Sequence, residues 1–270
     1  VSTYAIAAII IGALLIGLVA NRFVRPFAKT EVQGVKLETL SGPIVSVTVL
    51  LLAFTLVTVY QSFLRGQTAA ADEARKVDHQ FEVAQLLQEP ERQQVMAAMT
   101  CYAAAVATYE WETMQEGRTA REVSPWTRQI RAGTASLVER DDVPSPVIGA
   151  LLTADRDRGE ARSRRLTEAQ PSVPPELKAL LVLTASIGIL VLATFTLGSV
   201  NRRVQVGVLT ALASVFILFL AAISDLDRPY DGFIAAPATD MTRVSGDLAE
   251  DYAEEYPTVP LPCDETGREG

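Results

Sequence analysis

The sequence predicts an all-α integral membrane protein, with four transmembrane helices and a helical-bundle domain inserted between the second and third. Three observations predict it. Four long apolar runs are free of charge inside, Lys178 at the entry of the third being the one charged residue, the polar stretch between the second and third runs is built from helix-favouring residues, and no strand-like alternation occurs.

The first run is about Tyr4 to Ala20, closed by Asn21, Arg22 and Arg25. Its basic residues follow the apolar core, as in a membrane anchor rather than a cleaved leader. The second run is about Pro43 to Leu64, closed by Arg65. The third, about Leu177 to Ser199, is entered through Pro174 and Pro175, and the fourth is about Val204 to Ile223. Each has roughly 17–23 residues, enough to cross about 30 Å of hydrocarbon as a helix. They pair as two hairpins, one joined by the loop from Asn21 to Gly42 and the other by a short Asn201-Arg202-Arg203 turn. The expected organisation is a first hairpin over residues 1–65, a helical domain over 66–176, a second hairpin over 177–235 and an acidic tail over 236–270.

The insert is rich in Ala, Glu, Gln and Arg. Val77, Phe81, Ala84 and Gln88 recur at helical spacing with Leu87 beside them, and Val95, Met99, Tyr102, Val106 and Tyr109 do the same. Each pattern predicts an amphipathic helix with one apolar stripe. Pro90 and Gly117 punctuate them. Ser124-Pro125 and Ser145-Pro146 read as N-cap and first-turn signals for two more helices, carrying Trp126, Ile130 and Leu137, then Val147, Leu151 and Leu152. Together these predict a bundle of about four helices. The tail combines acidic residues and prolines with scattered aromatics, a composition that predicts mostly disorder.

Formal charge is −8, from 24 Lys and Arg against 32 Asp and Glu, and no basic stripe exists, which argues against nucleic-acid binding. His79 is the only histidine and Cys101 and Cys263 the only cysteines, so a four-ligand zinc site is excluded and no metal or cofactor is expected. No P-loop, GxGxxG, GxSxG or HExxH motif is present, and the spans hold no acid, base or nucleophile, so an enzyme is not expected.

On the second span, Ile44, Thr48, Leu51, Thr55, Thr58 and Ser62 fall within one arc at about 100° per residue. One reading is a pore-facing stripe, where hydroxyls meet a partly dehydrated anion and an apolar ring gates by dewetting. The other is packing, with each hydroxyl bonded back to its own helix or to a neighbour. After the fourth span, Ser224-Asp225-Leu226-Asp227-Arg228-Pro229-Tyr230-Asp231-Gly232 reads as a helix stop locked by Arg228 and its neighbouring carboxylates.

Several segments resemble the bacterial bestrophin-like membrane proteins. They are Asp72-Glu73-Ala74 after the second span, Tyr109-Glu110-Trp111-Glu112-Thr113-Met114, Arg162-Ser163-Arg164-Arg165-Leu166 ahead of Pro174-Pro175, and Leu226-Asp227-Arg228-Pro229-Tyr230-Asp231-Gly232. The last is the most specific, and their order covers the chain to about Pro237. The resemblance marks Glu73, Trp111, Arg162, Arg165, Asp227, Arg228, Pro229 and Gly232 as structural positions. It implies a homo-oligomer, pentameric in that family, that conducts small anions along an axial pore lined by the second helix and is surrounded by membrane lipid. It favours the pore reading of the Thr48 stripe. The alternative is a non-conducting scaffold or sensor whose helical domain binds a partner. The dense acidic calcium cluster of animal bestrophins has no counterpart in this sequence.

With four spans, both termini and the domain share one side. Arg22, Arg25, Lys29, Lys36, Arg202 and Arg203 crowd the two short loops, which the positive-inside rule places in the cytoplasm. Arg65, Arg75, Lys76, Arg158, Arg162, Arg164 and Arg165 flank the spans on the other side, and the resemblance places domain and termini in the cytoplasm, the arrangement expected. Cys101 and Cys263 fit either side, as free thiols inside or, if they meet, one disulfide outside.

Overall fold

The computed structural model describes residues 3–24, 37–116, 118–138, 143–195 and 202–270, and among them the chain is helical with no named strand. The residues Arg25, Lys29, Lys36, Gly117 and Asn201, and the end of the third run at Ser199, lie outside these. In chain order the helices are α1 (Thr3–Val24), α2 (Leu37–Ala84), α3 (Glu91–Ala105), α4 (Trp111–Gln115), α5 (Val123–Val138), α6 (Ser145–Glu168), α7 (Pro175–Phe195), α8 (Arg202–Leu226) and α9 (Thr239–Glu255). A π-turn over Val106–Glu110 joins α3 to α4. Among the described residues four helices are long and apolar enough to cross a membrane, Thr3–Phe23, Gly42–Ala84, Pro175–Phe195 and Arg202–Leu226.

The chain forms two compact units, one of residues 1–61 and 171–227 and the other of residues 62–170 and 228–270. In the first, α1 packs on α7 and α8. Small residues allow the close approach, since a Cβ on Gly17 would stand 2.9 Å from the Leu190 carbonyl oxygen. Asn21 Nδ2 donates to the Thr194 carbonyl at 2.7 Å, giving a buried amide a partner where water is absent. Helix α2 has 48 residues, about 72 Å at the usual rise, more than twice the hydrocarbon thickness. It begins in the first unit and ends in the second as one uninterrupted rod.

In the second unit α3 packs against α5 and α9. The single apolar stripe expected on α3 is a correction: every residue from Val95 to Val106 is buried. The intervening alanines are small enough for neighbours to close on all sides, so the helix is a core rod rather than an amphipathic one. The serine caps are also corrected. Helix α5 begins at Val123, and Pro144 rather than a serine side chain occupies the cap of α6.

The expected disordered tail is a further correction. Met241, Val244, Leu248 and Tyr252 recur at helical spacing on α9 and are all buried. Beyond it, Cys263 forms a disulfide with Cys101, 162 residues away. Trp126 Nε1 donates to the Gly267 carbonyl at 2.7 Å, and Tyr109 and Thr266 hydroxyls share a 2.7 Å bond. Gly267 has φ of +82°, and a Cβ there would collide with the Ala105 backbone, so glycine is required on both counts. Composition alone hides this anchoring, because the burial comes from one helix face and one covalent bond.

Candidate functional site

The stripe read on α2 divides. Thr48 and Ser62 are each only 2% exposed, Thr55 is half-buried, and Ile44, Leu51 and Thr58 are exposed. Thr48 lies against α7, where its Oγ1 stands 3.8 Å from the position a Cβ on Gly188 would take. The hydroxyls of Thr48, Thr55 and Thr58 donate to the carbonyls of Ile44, Leu51 and Phe54, four residues back. The covered side of α2 carries Thr48, Leu52, Val59, Ser62 and Phe63. Of the four apolar helices, α2 is the least covered within the protein. Its open side is broad and includes Leu50, Val57, Tyr60 and Leu64; within it Val47, Leu51, Phe54, Thr58, Gln61 and Arg65, all exposed and spaced 4-3-4-3-4, form a stripe that shares only Leu51 and Thr58 with the one expected.

The helical unit encloses a polar cluster made of residues from α2, α3, the π-turn and α6. Arg165 is fully buried and sits between two buried carboxylates, its Nε on Glu73 and its Nη2 2.5 Å from Glu110 Oε2. Tyr102 donates to the other Glu73 oxygen at 2.7 Å, and Arg162 reaches both oxygens of Glu110. The π-turn supplies one extra residue before α4, so Glu110 and Trp111 both turn inward. Burial alone would raise the Glu110 carboxyl, but the Arg162 hydrogen bonds and the charges of Arg165 and Arg162 outweigh it and hold it below the usual range. Burial also pushes the Tyr102 hydroxyl up, and the Glu73 carboxylate adds to that. Two carboxylates balance two guanidiniums, and each charge has a partner, the condition under which such a cluster tolerates burial.

Trp111 lies inside this unit. Its Nε1 donates to the Ala236 carbonyl at 3.0 Å, its ring meets Tyr230 edge-on at 5.3 Å, and Arg165 lies over its face. Tyr230 in turn donates to the Gly66 carbonyl at 2.6 Å. A Cβ on Gly66 would approach Pro229 to 2.8 Å, and Gly232 turns at φ of +110°, so two residues of the motif and Gly66 close one joint.

Asp227 and Arg228 do not form the expected lock. Asp227 Oδ1 accepts from the Ser172 N–H and hydroxyl, both at 2.8 Å, and from the Val173 N–H at 2.9 Å, and Lys178 Nζ lies 2.6 Å from Oδ2. Asp227 therefore ties the end of α8 to the segment that enters α7. Arg228 is exposed and pairs with Asp231 at 3.3 Å. Asp227 is the wrong partner for Arg228 because helix geometry points adjacent side chains apart, whereas Asp231, three residues on, is in reach. Asp227→Ala is expected to cost about 3–5 kcal/mol by stranding Lys178 and two N–H groups. Arg228→Ala is expected to cost about 0–1 kcal/mol. Thermal unfolding of the detergent-solubilised variants checks both, and equal melting temperatures would contradict the assignment.

Among the described residues no group of three or more His, Cys, Asp or Glu could hold a metal ion. The profile of the Bestrophin-like domain family matches residues 6–241. Among solved structures the chain is similar to a bacterial bestrophin homolog from Klebsiella pneumoniae. The structure of that protein obtained by zinc anomalous phasing shares 11% identity at a TM-score of 0.69, covering 93% of this chain and 98% of the other. A tryptophan-to-alanine variant shares 12% identity at a TM-score of 0.70, covering 90% and 97%. Among curated proteins none matches this chain. At these identities the structural likeness shows the fold, while the profile match, spanning most of the chain, shows the family. The chain belongs to the bestrophin-like family and is a multi-pass membrane protein.

Proposed function

We propose that the protein is an oligomeric channel that conducts small anions along an axis lined by α2. The observation that carries this reading is the open stripe on α2. Val47, Leu51 and Phe54 would form successive apolar rings, able to gate by dewetting, and Thr58 and Gln61 would follow as a polar stretch. Family membership supports the same assignment. Thr48 and Ser62 have no place in the conducting face on this reading, because the protein itself covers them.

Single cysteines at Val47, Leu51 and Thr58 in the reconstituted protein are expected to react with small aqueous thiol reagents, and cysteines at Thr48 and Leu52 to stay protected. Equal protection at Leu51 and Leu52 would remove α2 from the axis.

The helical domain and tail belong, on this reading, outside the cytoplasm. Two independent features support it against the architecture the resemblance implies. The Cys101–Cys263 disulfide joins domain and tail, and such bonds persist in oxidising compartments. The short loops between spans carry Arg22, Arg25, Lys29, Lys36, Arg202 and Arg203, as cytoplasmic loops do. A reporter that fluoresces only in the cytoplasm, fused after Gly270, is expected to be dark, and alkylation in intact cells to find no free thiol. A bright fusion with two alkylated cysteines would reverse the orientation.

A further inference from the structure

The helical unit holds a basic cavity that the channel reading does not use. It lies between α5 and α6, has a volume of about 260 Å³, and is lined by Arg131, Arg158, Arg162, Thr127, Ser163 and Gln170 among others, none of them acidic. Arg158 is 1% exposed, so a permanently charged group is held in the wall rather than waving in solvent. Its Nε and Nη2 are spent on Gln80 and Asp155, and Arg162 spends Nε and Nη2 on Glu110. A guanidinium has five N–H donors, so Arg162 has its Nη1 pair beyond the Glu110 bonds, while Arg158, lying 4.6 Å over the Tyr102 ring, lends the wall its positive charge. Arg131, on α5, is exposed and adds a guanidinium beyond those the carboxylates of the cluster balance. The Gln170 amide and Ser163 hydroxyl supply neutral donors at the same wall.

We propose that this cavity binds the phosphate group of a small molecule or lipid headgroup. Three guanidiniums around one concavity with no carboxylate on its lining match a multivalent oxyanion, which accepts paired N–H bonds from planar forks. Chloride, with one charge and no oxygen geometry, uses few of these donors. The volume exceeds that of a bare phosphate and lies just under the usual range for small-molecule sites, about 300–1,000 Å³, leaving room for a short organic part. Arg162 links the ligand to Glu110 and through it to Arg165, so occupancy would stiffen the buried cluster. The assignment does not depend on whether the protein conducts.

The test has two arms in chloride buffer. The purified protein in detergent is titrated with inorganic phosphate and with glycerol 3-phosphate by calorimetry. The protein in nanodiscs is melted in neutral lipid with and without phosphatidic acid. Saturable binding of either soluble phosphate assigns a free ligand, and a raised melting temperature only with phosphatidic acid assigns a headgroup. In the responding arm Arg131→Glu is expected to weaken the response tenfold or more, and Arg131→Gln severalfold. Arg131 is exposed, so unliganded melting should match the parent in both variants. Silence in both arms, or an Arg131→Glu variant that responds like the parent, overturns the assignment.

Discussion

Phe54→Ala is expected to raise chloride flux through the reconstituted protein about tenfold, a barrier reduction of about 1.4 kcal/mol. Phe54 is 65% exposed on α2, so little of the protomer fold depends on its ring. On the proposed reading that ring would repeat around the axis of a closed oligomer and narrow the path beside Val47 and Leu51. An apolar constriction resists an ion chiefly by refusing its hydration shell, and removing the ring widens and wets it. Leu52→Ala, on the covered side, is the contrasting case: it leaves a cavity, costs stability and leaves the path lined as before. Flux from chloride-loaded liposomes distinguishes them. An unchanged rate in Phe54→Ala would mean that this face meets lipid instead.

Arg165→Leu is expected to be the most damaging single change in the helical unit. It strands the fully buried Glu73, leaves the buried Glu110 with Arg162 as its only guanidinium partner, and removes the cation lying over Trp111. Breaking a buried charge pair costs about 3–5 kcal/mol, and here one guanidinium serves two carboxylates. Arg164→Leu, one position away, loses only an exposed contact with Asp72 at 3.2 Å and should cost about 0–1 kcal/mol. The two melting curves should therefore separate widely. Adding Glu73→Leu to Arg165→Leu should recover part of the loss, because the carboxylate left unpaired is removed while Glu110 keeps Arg162. The depressed Glu110 carboxyl gives the sign of the acid response. Its contribution is present above the usual unfolded carboxylate range, near pH 4.3, and is lost as pH falls through the lower folded value.

The spans were legible because an uninterrupted apolar run of helical length has few other uses in a chain this charged. Trp111 was legible for a similar reason: an aromatic closing an apolar stripe has a buried ring and seeks a partner for its N–H, and Ala236 supplies it. Which side of α2 the protein covers was not legible in the same way. A threonine bonded back to its own carbonyl, as Thr48 is to Ile44, has the same helical spacing whether it faces an axis or a neighbouring helix. Which side of α2 is covered depends on α7, more than a hundred residues later. The tail misled through its average, since α9 needs only Met241, Val244, Leu248 and Tyr252 to hold one face down. Glu73, Arg162 and Arg165 were marked by resemblance alone. Their meeting with Glu110 depends on the π-turn, and nothing in the periodicity of α3 announces it.

The most direct test of the account is chloride efflux from liposomes carrying the purified protein, with the oligomer mass measured on the same sample. The account predicts a closed ring of more than two protomers and efflux well above that of empty liposomes, raised further by Phe54→Ala. A dimer that retains chloride as empty liposomes do would contradict it and leave the membrane-anchored scaffold as the better description.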